Sequence, residues 1–167
     1  GVANDGLGIT FDSQSNFSGS STTFAPLTAT SPYYSILHGT YGNPVQVLWS
    51  SGATMTLNTT NNSSVKGIVY KSGSSTSGTT NVYVAAATYQ NGKIFAVGDS
   101  SIIDDGTGDT GDTLYTGYTG DANGNHQKLL MNGMIWLITN NTAATNDNFL
   151  NANHFNIAPN PAQDGQI

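Results

Sequence analysis

The sequence predicts a strand-rich α/β domain: an incomplete open sheet with a C-terminal β-hairpin and one buried helix. An all-β sandwich carrying a single helix is the alternative architecture. Apolar residues fall in short runs such as Val45–Trp49, Gly67–Lys71 and Val82–Tyr89, separated by Ser, Thr, Asn and Gly, which is the pattern of strands and turns. Asn91-Gly92 stands between two such runs. Helical spacing is convincing in one place, His126–Thr139.

Taken in order, Asp12–Thr30 reads as surface loop around Phe17 and Phe24. Val45–Trp49 and Ala53–Leu57 flank Ser50-Ser51-Gly52, which predicts two short strands joined by a tight turn. A polar stretch at Asn58–Ser64 precedes a strand at Gly67–Lys71, and Ser72–Thr80 is a Ser/Gly/Thr loop. Val82–Tyr89 and Lys93–Val97 around Gln90-Asn91-Gly92 predict a β-hairpin, because Asn and Gly both tolerate the positive φ of a type I′ turn. In the helix, Leu130, Met134, Leu137 and Ile138 recur at i, i+4, i+7 and i+8, and Leu129, Met131, Ile135 and Trp136 widen the stripe. A stripe that broad predicts a helix buried on most sides and resting on the hairpin. Asp121, Asn123 and Asn125 are candidate caps, and Asn140-Asn141 can end the last turn. The organisation expected is one domain over 1–154, then a linker and the start of a tail over 155–167.

Composition narrows the function. Ser, Thr and Asn make up 58 of the 167 residues, and charged residues only 8%, against roughly 25% in an ordinary soluble domain. All ten acids are Asp and all four bases are Lys, for a net charge of −6. Without Arg or a basic face, phosphate neutralisation fails and nucleic acid is excluded as a partner. No apolar run approaches the ~20 residues of a membrane span. The absence of Cys removes disulfides, thiolate zinc sites and a Cys nucleophile together. Gly1–Asp5 has neither the basic start nor the apolar core of a signal peptide. A chain rich in Ser, Thr, Asn and Gly is expected outside the cell or on its surface.

Two stretches resemble known families. Gly92-Lys93-Ile94-Phe95-Ala96-Val97-Gly98-Asp99-Ser100, an acidic loop, and Asn125-His126-Gln127-Lys128-Leu129-Leu130-Met131-Asn132-Gly133-Met134-Ile135-Trp136-Leu137 are similar to the C-terminal half of class I glutamine-amidotransferase-like domains of exported bacterial proteins. The resemblance covers residues 82–139 well and 45–70 loosely, and it implies a flavodoxin-like sheet. Lack of Cys excludes glutaminase chemistry. The family's N-terminal strand–helix repeats are missing, so the sheet is expected to be shortened, rearranged or completed from outside the chain. Phe155-Asn156-Ile157-Ala158-Pro159-Asn160-Pro161-Ala162-Gln163-Asp164-Gly165 resembles the opening of a type IX secretion sorting domain, which implies a bacterial protein exported to the surface or released.

Six of the ten acids lie between 99 and 121. Asp104, Asp105, Asp109 and Asp112 stand on a Gly-rich loop, and Asp121 and Asn123 begin an alternating run of oxygen donors. Carboxylates crowded this way repel unless a cation joins them, and Ca²⁺ takes six to eight hard oxygens. Bound Ca²⁺ is therefore a candidate, with a solvated acidic loop as the other reading. The closing Glu of an EF-hand is absent. Gly98-Asp99-Ser100 after an apolar run admits a serine hydrolase in which His126 is the base, with Ser100 and Asp99 beside it. The simpler reading is that Asp99 and Ser100 stabilise a turn. His38, His126 and His154 have no zinc-site spacing. Of the loop aromatics Tyr33, Tyr34, Tyr41, Trp49, Tyr115 and Tyr118, the pair Tyr115 and Tyr118 best suits stacking on sugar rings, although such rings also serve to pin loops. Asp112-Thr113-Leu114 resembles a bacterial O-glycosylation site. The expectation is a non-catalytic accessory module of a secreted bacterial protein, stabilised by Ca²⁺ and binding polysaccharide, with other domains of the same protein as partners. The serine hydrolase and a purely structural or adhesive surface domain are the alternatives.

Overall fold

The computed structural model describes residues 6–12, 17–20, 22–103, 121 and 123–139. They form strands β1 (Ile9–Phe11), β2 (Phe17–Ser20), β3 (Thr22–Phe24), β4 (Leu48–Gly52), β5 (Met55–Leu57), β6 (Lys66–Lys71), β7 (Val82–Tyr89) and β8 (Gly92–Val97). Helix α1 is a single turn at Tyr34–Leu37, and α2 spans Asn125–Ile138. One six-stranded sheet has the order β1-β5-β7-β6-β3, with β8 also paired to β7, while β2 and β4 form a separate ribbon. All pairings among the described residues are antiparallel.

The protein is thus strand-rich and sheet-dominated, and the pairing is not flavodoxin-like. That fold needs parallel strands, and each parallel connection needs a crossover of a dozen or more residues, usually a helix. Here β7 and β8 meet across a two-residue turn, and β6 reaches β7 through the loop 72–81. Connections this short return the chain antiparallel.

β7 organises the core. Val82–Ala87 is completely buried, a continuous apolar run of the kind that a strand covered on both faces requires. Tyr83, Val84 and Ala86 join one cluster with Ile36 and Leu37 of α1, Trp49 of β4, and Leu129 and Trp136 of α2. Val82, Ala85 and Ala87 join the other with Met55, Leu57, Val65 and Tyr70. Each large apolar side chain buried this way contributes about 1.5–3 kcal/mol.

Several local expectations are corrected. Val45–Trp49 and Ala53–Leu57 do not form a hairpin. Ser50-Ser51-Gly52 lies inside β4, and the chain then leaves the ribbon for the main sheet at Ala53-Thr54. Gly98 holds that crossing: the Ala53 N–H donates to Gly98 O (2.8 Å), and the Gly98 N–H to Tyr83 O (2.8 Å). A Cβ on Gly98 would overlap the Ala53 carbonyl. The 82–97 hairpin forms, but Tyr89 pairs with Gly92, so Gln90-Asn91 makes the turn, with Gln90 at φ 52°. The supposed loop 12–30 contains β2 and β3, and β3 pairs Thr23 with Tyr70 and Phe24 with Val69 at the edge of the sheet.

α2 rests on β8 as expected, with Gly133 against the Phe95 ring, where a Cβ would come within 2.6 Å. Its buried stripe is nevertheless Asn125, His126, Leu129, Asn132, Gly133 and Trp136. Leu130 and Leu137 are half-buried, while Met134 (47%), Ile135 (38%) and Ile138 (73%) are exposed. The helix turns a partly polar stripe inward because the backbone of residues 41–48 waits there to pair with it.

Candidate functional site

The N-terminus of α2 is built around Asp121. Its Oδ1 accepts the Asn123 N–H (3.0 Å), and its Oδ2 accepts those of Asn125 (2.6 Å) and His126 (3.1 Å). First-turn N–H groups of a helix have no partner inside it, so a carboxylate here satisfies orphan donors and meets the positive end of the helix dipole. Burial alone would raise the Asp121 pKa. The hydrogen bonds from Asn123, His126 and Asn125 outweigh it and hold the carboxyl below its ordinary range. Gly124, at φ 63°, lets the chain enter the helix over this cap.

The same Oδ2 lies 3.1 Å from His126 Nδ1. His126 is completely buried. Its Nε2 is 2.9 Å from Leu48 O and 3.2 Å from Leu48 N. Nε2 therefore fastens α2 to β4, while Nδ1 ties the ring to the Asp121 cap.

Two further polar side chains of the stripe reach the segment between α1 and β4. Asn125 (3% exposed) accepts the Val45 N–H at Oδ1 (3.0 Å). Asn132 (1% exposed) accepts the Tyr41 N–H (3.1 Å) and donates to Gly42 O (2.9 Å). Gly42 N closes the turn on Gly39 O (3.0 Å), with Gly42 at φ 94°. Gly39 lies so close to the Asn132 amide that a Cβ would collide with it. Tyr41 projects from this turn and remains 48% exposed.

Asp99 and Ser100, at the end of β8, line an open pocket of about 450 Å³ with Phe95, Val97, Ile102 and Leu130. His126 is not part of that lining. Ser100 starts a 3-10 turn, its carbonyl accepting the Ile103 N–H (2.9 Å). Burial, with the Asp99 carboxylate adding to it, holds the Tyr83 phenol well above its usual range.

The sequence-derived candidates thus separate. Asp121 and His126 meet, but as helix cap and interior clamp. Asn123 is exposed, and its carbonyl accepts Lys128 Nζ (2.8 Å). Among the described residues, no three His, Cys, Asp or Glu side chains gather as a metal would need. Of the aromatics, Tyr33 and Trp49 are buried, and Tyr34 stacks on His38 with centroids 4.3 Å apart. Asp104, Asp105, Asp109, Asp112, Tyr115, Tyr118, His154, the Asp112–Leu114 motif and the 155–167 tail lie outside the described residues. Sequence reading missed Asn125 and Asn132 as loop clamps. Their signal was present: with His126 they fall on one helical face at i, i+1 and i+7, but a search for apolar periodicity passes over polar members. The chain matches no family model, no curated protein and no solved structure.

Proposed function

We propose that the chain is a non-catalytic, glycan-binding accessory domain of an exported bacterial protein. One observation supports the non-catalytic half above others. His126, the base that a Ser100 nucleophile would need, is sealed in the interior with both ring nitrogens engaged by Asp121 and Leu48. A serine is activated only by a base within hydrogen-bond reach of its Oγ. The Ser/Thr/Asn-rich composition and the sorting-domain-like residues 155–165 support export, and exposed aromatics support stacking on sugars.

Two assays on the purified domain test this. Affinity gels containing neutral polysaccharides should retard it, and a chromogenic ester should be turned over no faster than by buffer. Ester hydrolysis lost on Ser100→Ala would instead establish the hydrolase, the reading favoured by the placement of Asp99 and Ser100 in one pocket. Calcium belongs to the same proposal. Asp104, Asp105, Asp109 and Asp112 would supply its carboxylates, because Asp121 is engaged as the cap of α2.

A further inference from the structure

We infer that the turn carrying Tyr41 is a binding site for a neutral hexopyranose chain, with the Tyr41 ring as its stacking platform. This rests on the glycan-binding reading and deepens it, giving that reading a site other than Tyr115 and Tyr118.

The inference starts from the asparagines beneath the turn. A buried amide is unfavourable unless its groups are paired. Asn132 directs both ends of its amide to the backbone of Tyr41 and Gly42, and Asn125 accepts from Val45. Two buried polar residues of α2 thus hold an exposed segment from below. Gly39 closes the same turn against Asn132, where no side chain fits. The result is a large aromatic ring, 48% exposed, on a backbone whose ordering is completed during folding. Binding then does not have to supply that ordering, which is the gain from preorganisation.

The surrounding chemistry selects the ligand. Residues 38–46 contain no Asp, Lys or Arg, and His38, Thr40, Asn43 and Gln46 of that stretch are exposed, as Tyr41 is. Lys128 lies with its stem against Gly42, and its Nζ is held by Asn123 O. Such a surface offers little to a phosphate or carboxylate. Hydroxyl and amide groups match sugar hydroxyls, and a tyrosine face matches the C–H face of a pyranose while its O–H stays wet. His38, stacked on Tyr34, adds a second planar group three residues away.

The test is affinity electrophoresis of the whole chain through gels containing a soluble β-glucan, an α-glucan or a mannan. The panel compares wild type with Tyr41→Ala, Tyr41→Phe and Tyr118→Ala. At least one polysaccharide should retard the wild type. Tyr41→Ala should then lose about tenfold or more in apparent affinity, Tyr41→Phe should retain most of it, and Tyr118→Ala should behave as wild type. The Tyr41→Ala melting temperature should stay within about 2 °C of wild type, as for a surface change. Retardation kept in Tyr41→Ala but lost in Tyr118→Ala overturns this site while leaving the glycan reading intact. A wild type that no polysaccharide retards overturns both.

Discussion

One carboxylate, that of Asp121, accepts three backbone N–H groups and faces a buried imidazole, so its effect on stability carries a definite pH signature. Its folded pKa lies below the ordinary value. A depressed carboxyl pKa stabilises the fold at pH values above the unfolded pKa, near ~4. That stabilisation disappears as pH falls through the lower folded value. Asp121→Ala should therefore cost about 1–2 kcal/mol at neutral pH, as the loss of a helix cap does, or about 3–6 °C in melting temperature. The gap between wild type and variant should narrow steadily in melts taken from pH 4 downward. A gap constant across that range would mean that the charged form of Asp121 is not what the helix uses. Gly98 supplies a second residue-scale test. Any side chain there meets the Ala53 carbonyl, a backbone atom that cannot swing aside. Gly98→Ala should lose about 1–3 kcal/mol in urea unfolding, and an unchanged midpoint would show that the β4–β5 crossing can shift.

The β7–β8 hairpin and α2 were legible in the sequence for different reasons, and each was misread in one respect. In the hairpin, two long apolar runs fixed the strands, but Asn91-Gly92 drew the turn one residue too late. Register is set by the whole six-pair ladder from Val84↔Val97 to Tyr89↔Gly92. That ladder outweighs the preference of one dipeptide and leaves Gln90 at φ 52°. A non-glycine residue in the left-handed region is strained by about 1–2 kcal/mol, so Gln90→Gly should raise the melting temperature by a few degrees despite its greater unfolded-state freedom. A drop would mean that the Gln90 side chain contributes more than its backbone strain costs. In α2, the length and limits followed from spacing, but the inward face did not. Hydrophobicity alone favours Leu130, Met134 and Ile138, whereas the protein buries Asn125, His126 and Asn132 because backbone groups of a distant segment complete their hydrogen bonds. The spacing of those three polar residues is in the sequence, but apolar periodicity does not single it out and their tertiary partners lie in a segment far along the chain. The strands β1 and β3, three residues each, were unreadable for a related reason: they form only by pairing with β5 and β6. At the other end of the helix, Lys93 Nζ donates to Trp136 O (2.8 Å) and Thr139 O (2.7 Å) and lies 4.9 Å from the Trp136 ring centroid. Lys93→Met keeps the stem and removes these bonds, so it should lower stability by about 1–2 kcal/mol at neutral pH, measured by chemical denaturation.

For the whole molecule, a chain with ten Asp, four Lys and a net charge of −6 folds against its own repulsion, and that repulsion is unevenly spread. Asp104, Asp105, Asp109 and Asp112 fall within nine consecutive residues, while Asp121 is already committed to the start of α2. If the first four form a calcium site that exists only in the folded chain, mass action links the ion to global stability. A free concentration a hundredfold above the dissociation constant then adds about 2.7 kcal/mol. In a domain of this size that moves the melting temperature by about 5–10 °C. Thermal melts in millimolar Ca²⁺ and again in excess chelator should differ by that amount. Asp104→Asn combined with Asp109→Asn should abolish the difference. Matched melts in Mg²⁺ separate a site from general screening, because Mg²⁺ demands octahedral geometry and gives up its waters reluctantly. Equal shifts from both ions would identify charge neutralisation of an acidic loop. Identical melts with Ca²⁺ and chelator would leave the four aspartates as solvated turn residues, and the stability of the domain would then rest on its packed core and the polar contacts around α2 without help from an ion.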